Sequence, residues 1–258
     1  MALKASGKVI IANWKMNLAV HESVNVIRTL RKLLDTRQVT DLIEIVVCPS
    51  YDALTAVREE ISGSKIRLGA QDVFWQEKGA YTGEVSASML VAAGASYVLI
   101  GHSERRTYLQ ETDEMVNKKV TAALAAGLTP IVCVGETYEE RSIGHTDLIL
   151  MRQTIEGLKG IPLHSGQEIL VAYEPVWVIG TGQAIEPPMA EHASEVITQS
   201  LIDLYPKGTV ESQTRIIYGG SVDEKNIRDF LNLRKISGAL VGTASLQPEK
   251  FISLLALL

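Results

Sequence analysis

A chain of 258 residues, 46% hydrophobic and 21% charged, carries 25 Lys and Arg against 30 Asp and Glu, a formal charge of −5. The hydrophobic fraction excludes a disordered or fibrous polymer. The acidic balance lacks the basic excess of a nucleic-acid binder, but leaves room for an anionic small substrate if cationic groups are gathered locally.

No stretch approaches the roughly 18 consecutive apolar residues of a membrane span, and none is expected. Residues 1–8, MALKASGK, lack the apolar segment of a secretory leader, so the expected address is the cytoplasm. Cys48 and Cys133 lie inside apolar runs and are expected as buried free thiols. No composition shift, linker or low-complexity tract divides the chain, and one domain over 1–258 is expected.

Taken in chain order, short β-branched runs occur at 9–13, 43–48, 66–69, 97–101, 131–135, 169–173, 216–219 and 239–242, each followed by a longer segment of helical period. After the first run, Val20, Val24, Ile27, Leu30 and Leu34 recur at spacings of three and four, which predicts one buried helix face. Gly94 and Gly127, each behind a pair of alanines, predict helix stops. Runs that are apolar throughout suit a parallel sheet covered by helices on both sides. Eight such units in this length fit a closed (β/α)8 barrel. An open doubly wound sheet shares the local pattern.

In a barrel the chemistry belongs at the carboxyl ends of the strands. The first run ends in Asn13-Trp14-Lys15-Met16-Asn17, which puts an ammonium beside an amide at the rim. A fixed cation there would stabilise a developing oxyanion, although a lone Lys is more often just a solvated charge. The fourth run leads into Gly101-His102-Ser103-Glu104-Arg105-Arg106. Ser103 with Glu104 behind it predicts a helix start capped by Ser103, whose positive end would disfavour an imidazolium at His102. A neutral ring donates at one nitrogen and accepts at the other, as a proton shuttle must; a histidine held by structural hydrogen bonds is the plainer alternative.

The sixth run ends in Tyr173-Glu174-Pro175. A carboxylate on an apolar rim is costly unless paired, and suits a general base; a buried ion pair is the competing reading. Residues 176–182, VWVIGTG, form an apolar flap with paired glycines that could exclude water from a ligand. Gly219-Gly220-Ser221 and Gly242-Thr243 follow runs seven and eight, where barrels often hold phosphate through main-chain N–H groups. Neither a metal-ligand spacing of His and Cys nor a dinucleotide-binding glycine motif is present.

Together the segments IANWKMN at 11–17, GHSERR at 101–106, AYEPVW at 172–177, IGTG at 179–182, YGGSV at 218–222 and LVG at 240–242 resemble the triosephosphate isomerase family, in its order and spacing along the whole chain. The resemblance implies a TIM barrel that interconverts dihydroxyacetone phosphate and glyceraldehyde 3-phosphate without a cofactor or metal. It implies Glu174 as the base, neutral His102 as the proton shuttle and Lys15 as the charge stabiliser, with Asn13 positioning Lys15 and Glu104 behind it. It also implies substrate contacts from Asn13 and Lys15, and phosphate donors at Gly180, Ser221, Gly242 and Thr243. It further implies a homodimer, in which the loop Gly79-Ala80-Tyr81-Thr82-Gly83-Glu84 enters the neighbouring subunit.

Three positions depart from the family pattern. Thr243 stands where the family usually has a second Gly, so a negative φ is expected there; a positive one would strain a β-branched residue by about 1–2 kcal/mol. Val178 replaces the usual Ala, and Gln183-Ala184-Ile185 replaces Lys-Thr-Ala, which bears on lid kinetics. Two other functions fit a barrel of this kind. A Schiff-base aldolase needs a Lys at a strand end, commonly the sixth, where this chain has Glu174. A non-catalytic metabolite-binding barrel would tolerate loss of Asn13, Lys15, His102 or Glu174, and all four are present.

Overall fold

Each strand is apolar on both of its faces, and the fold buries both. The computed structural model describes residues 7–36, 39–40 and 42–258; the reading of residues 1–8 as lacking a leader falls largely outside them. The strands are β1 (Lys8–Asn13), β2 (Ile43–Cys48), β3 (Ile66–Ala70), β4 (Tyr97–Ile100), β5 (Thr129–Val134), β6 (Ile169–Tyr173), β7 (Thr214–Tyr218) and β8 (Ile236–Val241). Each pairs in parallel with the next, and β8 returns to β1, closing a (β/α)8 barrel. Closure excludes the open sheet.

Side-chain alternation divides the core in two. Val9, Ile11, Val46, Cys48, Leu99, Cys133, Ala172 and Leu240 belong to the cluster that fills the barrel. Their neighbours Ile10, Ala12, Val47, Ile100, Val132 and Val171 pack with the helices in the larger outer core. Both cysteines are buried free thiols, as expected. Among the described residues no helix is long and apolar enough to cross a membrane.

The first helix, Val20–Thr36, buries Ser23, Ile27 and Leu30, whereas Val20 is exposed and Val24 and Leu34 are half-buried. The apolar spacing thus located the helix, but its buried stripe runs through Ser23 instead of Val20. Gly94 and Gly127 lie just past helices ending at Ala92 and Ala125, with φ of 91° and 84°. Four strands begin before their apolar runs, Lys8 of β1 pairing with Ile43. Thr129 pairs with Tyr97, Thr214 with Ile169 and Ile236 with Ile216, because backbone pairing accepts polar residues that a hydrophobicity pattern reads as loop. Gly101, Gly135, Gly219 and Gly242, read as strand ends, fall one residue beyond the strands and open the loops of the carboxyl rim.

Candidate active site

A pocket of about 260 Å³ lies at this rim, and Asn13, Lys15, His102, Glu174, Gly180, Ser221, Gly242 and Thr243 all line it. Of the residues expected at the site only Glu104 stays outside the lining. It pairs with Lys15, its Oε1 lying 2.5 Å from the ammonium.

At the end of β1, Asn13 is 4% exposed and its Oδ1 accepts the Lys15 main-chain N–H at 3.1 Å. Lys15 has a φ of 53°, a left-handed conformation costing about 1–2 kcal/mol in a residue with a side chain. Gln71, just past β3, holds this turn: its Nε2 donates to the Lys15 carbonyl at 2.8 Å and to the Cys48 carbonyl at 3.0 Å. Sequence reading missed Gln71, although the strand-end rule points to it, since β3 ends one residue earlier.

After β4, the helix Ser103–Leu109 is capped by His102, not by Ser103 as expected. The imidazole Nδ1 accepts the Glu104 N–H at 3.2 Å, which leaves the ring's proton on Nε2 in a neutral ring. Ser103 is the first helical residue, and its N–H donates to Glu174 Oε2 at 2.9 Å. The cap position went to His102 because an unprotonated ring nitrogen accepts an amide as a hydroxyl does, freeing the Ser103 amide for the carboxylate.

Glu174 is 1% exposed. Its main-chain N–H donates to Val134 O at 2.8 Å, and its Oε1 lies 3.1 Å from His102 Nε2 without the alignment of a hydrogen bond. Oε1 is therefore a buried oxygen with no hydrogen-bond partner, aimed at the ring. A Cβ at residue 219 would sit 2.9 Å from Glu174 Cγ, so glycine is required there for the carboxylate to pass. Burial, and then the neighbouring Glu174 charge, push the Cys133 thiol up.

Beyond Glu174, the turn Val176–Val178 is tied down by Trp177, whose indole N–H donates to Glu136 Oε1 at 2.9 Å while Arg141 stacks on the ring at 4.3 Å. Tyr173 donates its hydroxyl to the same oxygen at 3.3 Å. Glu136 is fully buried, and that burial raises its carboxyl above its ordinary value. It too escaped the sequence reading, which drew no candidate site residue from the end of β5. Val178 and Ile185 are buried and flank the segment 179–184, of which 180–184 is exposed. The substitutions at these two positions therefore act as apolar anchors on either side of an exposed loop. The Tyr218 hydroxyl is buried without a hydrogen-bond partner near the backbone of Ile185.

The short helical turn Thr243–Leu246 opens at Gly242. Among the described residues the non-glycine positions with positive φ are Lys15 and Gln110, so Thr243 avoids the left-handed region, as expected.

A carboxylate, an imidazole and an ammonium around one pocket, on the carboxyl rim of a closed barrel with Gly-rich turns after β7 and β8, define a barrel enzyme of proton transfer. The family model described as Triosephosphate isomerase matches residues 8–258. The triosephosphate isomerase of Moorella thermoacetica is 46% identical over 95% of this chain and 96% of its own. That of Caldanaerobacter subterraneus subsp. tengcongensis is 47% identical over 94% and 96%, and that of Endomicrobium trichonymphae 44% over 95% and 96%. The chain belongs to the triosephosphate isomerase family. It is an intramolecular isomerase that interconverts dihydroxyacetone phosphate and glyceraldehyde 3-phosphate.

Proposed function

We propose that Glu174 is the base of this isomerisation, taking a proton from the carbon beside the substrate carbonyl and returning it to the neighbouring carbon. The unpartnered Glu174 Oε1, 3.1 Å from His102 Nε2, is the observation that carries this reading. Neutral His102 donates from Nε2 to one substrate oxygen and takes a proton from the other, so the enediolate is relayed without an imidazolium. Lys15 stabilises the enediolate charge, with its backbone set by Asn13 and its ammonium braced by Glu104. The main-chain N–H groups of Gly180, Ser221, Gly242 and Thr243 hold the phosphate. The reaction redistributes protons and an electron pair within one substrate, so it balances without an external oxidant or cofactor.

A coupled assay on each triose phosphate in deuterium oxide tests the reading. Turnover in both directions with solvent deuterium at the exchanging carbon is expected; turnover without any exchange would replace the proton relay by a hydride shift. A Schiff-base aldolase is disfavoured by Glu174 at the end of β6.

The chain also acts as a homodimer in this reading. Residues 76–84 are exposed, with the Tyr81 ring tilted against Phe74 at 4.8 Å and Phe74 tilted against Trp75 at 4.1 Å. Met16, on the rim loop after β1, is 96% exposed. Apolar and aromatic side chains of this kind suit the core of a contact, and Tyr81, Thr82, Gly83 and Glu84 would reach the neighbouring subunit.

A further inference from the structure

We propose that Arg106 is a positioning residue for the proton relay, holding the backbone on which His102 is mounted. Gly101, just before His102, has a φ of 74° and no side chain to resist rotation of the peptide that joins the two residues. The Arg106 guanidinium supplies that resistance. Its Nε donates to the Gly101 carbonyl at 2.8 Å, and its main-chain N–H donates to the His102 carbonyl at 3.1 Å. The guanidinium thus holds the Gly101 carbonyl, while the His102 carbonyl takes the main-chain N–H groups of Arg105 and Arg106 in the first helical turn.

The same guanidinium reaches the next strand. Its third nitrogen donates to the Cys133 carbonyl at 3.3 Å, one residue before Val134, whose carbonyl accepts the Glu174 N–H. Its remaining nitrogen is fixed by Asp113 at 2.6 Å. A planar fork can serve three acceptors in this way, whereas a single ammonium cannot keep the same geometry. Arg106 therefore sets the spacing between the frame of the imidazole and the frame of the carboxylate without touching substrate. A cleft of about 380 Å³, lined by Ser103, Arg106, Thr107, Asp113 and Arg152, opens this guanidinium site to small solutes.

The inference rests on His102 and Glu174 being the relay, and its test uses Arg106→Ala, Arg106→Lys, Arg152→Ala and His102→Gln. Arg152 approaches Asp113 at 3.4 Å, and its side chain is half exposed. Arg106→Ala is expected to lose roughly 10- to 100-fold in kcat, because ångström-scale misplacement of a relay group has that effect. Its KM should stay within about two-fold, since none of the phosphate donors at Gly180, Ser221, Gly242 and Thr243 lines the Arg106 cleft. Millimolar guanidinium, far below denaturing concentration, should enter the cleft and restore roughly ten-fold or more of the lost kcat, while leaving wild type unaltered. Arg106→Lys should keep the pairing with Asp113 yet lose about three-fold or more in kcat, which preserves the test if the alanine variant does not fold. Arg152→Ala should turn over as wild type.

Wild-type kcat in Arg106→Lys together with wild-type kcat or no folding in Arg106→Ala overturns the proposal. A loss in a folded Arg106→Ala that guanidinium does not restore, or that Arg152→Ala reproduces, overturns it equally. If His102→Gln turns over normally, the relay assignment itself fails; if His102→Gln is inactive and the Arg106 variants are not, only the positioning role fails.

Discussion

Glu174 has one carboxylate oxygen on the Ser103 amide and the other free beside an imidazole, so its reach matters more than its bulk. Glu174→Asp retracts the carboxylate by about 1 Å and is expected to lower kcat on the order of 10²-fold while the fold persists. Steady-state turnover near wild type would show that another group is the base. Lys15→Met removes the pocket's ammonium, and kcat/KM for either triose phosphate should fall sharply; an unchanged value would deny Lys15 its role.

A second charged cluster lies away from the pocket. Lys119 binds Asp72 and Glu111 at 2.7 Å each, and Arg105 binds Asp72 at 2.8 Å. Burial pushes the Asp72 carboxyl up to about 6 despite Lys119, while Glu111, although burial opposes it, is held below its ordinary value by Lys119 and Arg105. Asp72 keeps its proton in the folded state to a higher pH than in the unfolded chain. Its stabilising share is therefore present below the unfolded value of 3.8 and lost as pH rises to about 6. The stability of wild type minus that of Asp72→Asn should fall by about 1–3 kcal/mol from pH 4 to 6, read from urea unfolding at each pH. A difference that grows with pH would refute the assignment. The composition and strand-end reading identified Glu174, His102 and Lys15 because each stands at a strand end with its own chemistry. Asp72, Glu111 and Lys119 look like ordinary surface charges in the sequence, since nothing local shows that distant segments desolvate them together.

The segment after β6 shows the same division at the scale of an element. Glycines at 180 and 182 and the apolar run around Trp177 mark a flap in the sequence. Its anchors are long-range: Glu136 from the end of β5 takes the Trp177 indole, and Val178 and Ile185 are buried in the outer core. Trp177→Phe removes the indole donor and leaves the buried Glu136 oxygen with only the longer hydrogen bond from Tyr173, at 3.3 Å. It should destabilise the protein by about 1–3 kcal/mol, measured as a lower urea midpoint at unchanged slope. An unaltered midpoint would show that the hydrogen bond contributes nothing net. The helix after β4 carries the corresponding lesson. Its start was legible from Ser103 and Glu104, yet the cap is His102, because the acceptor open to the Ser103 main-chain amide is the carboxylate that follows β6.

For the whole molecule, the proposed dimer makes a direct prediction. Tyr81→Lys puts a charge on the exposed aromatic tip, and should shift the mass in light scattering from two chains to one and lower kcat at low protein concentration. A variant that stays dimeric with normal kcat would move the interface elsewhere. The number of strands, their parallel sense and the helix stops at Gly94 and Gly127 followed from the recurrence of β-branched runs, helical spacing and glycine, because those are properties of a few consecutive residues. Hydrophobicity periods and strand-end chemistry thus determined the class of the fold and most of the catalytic shortlist. Closure of β8 onto β1, the desolvation of Asp72 and Glu136, the hold of Gln71 on the strained Lys15 and of Arg106 on His102 were decided only in three dimensions. Each depends on groups tens of residues or more apart, or on the path of a turn, and a local pattern carries no record of distance.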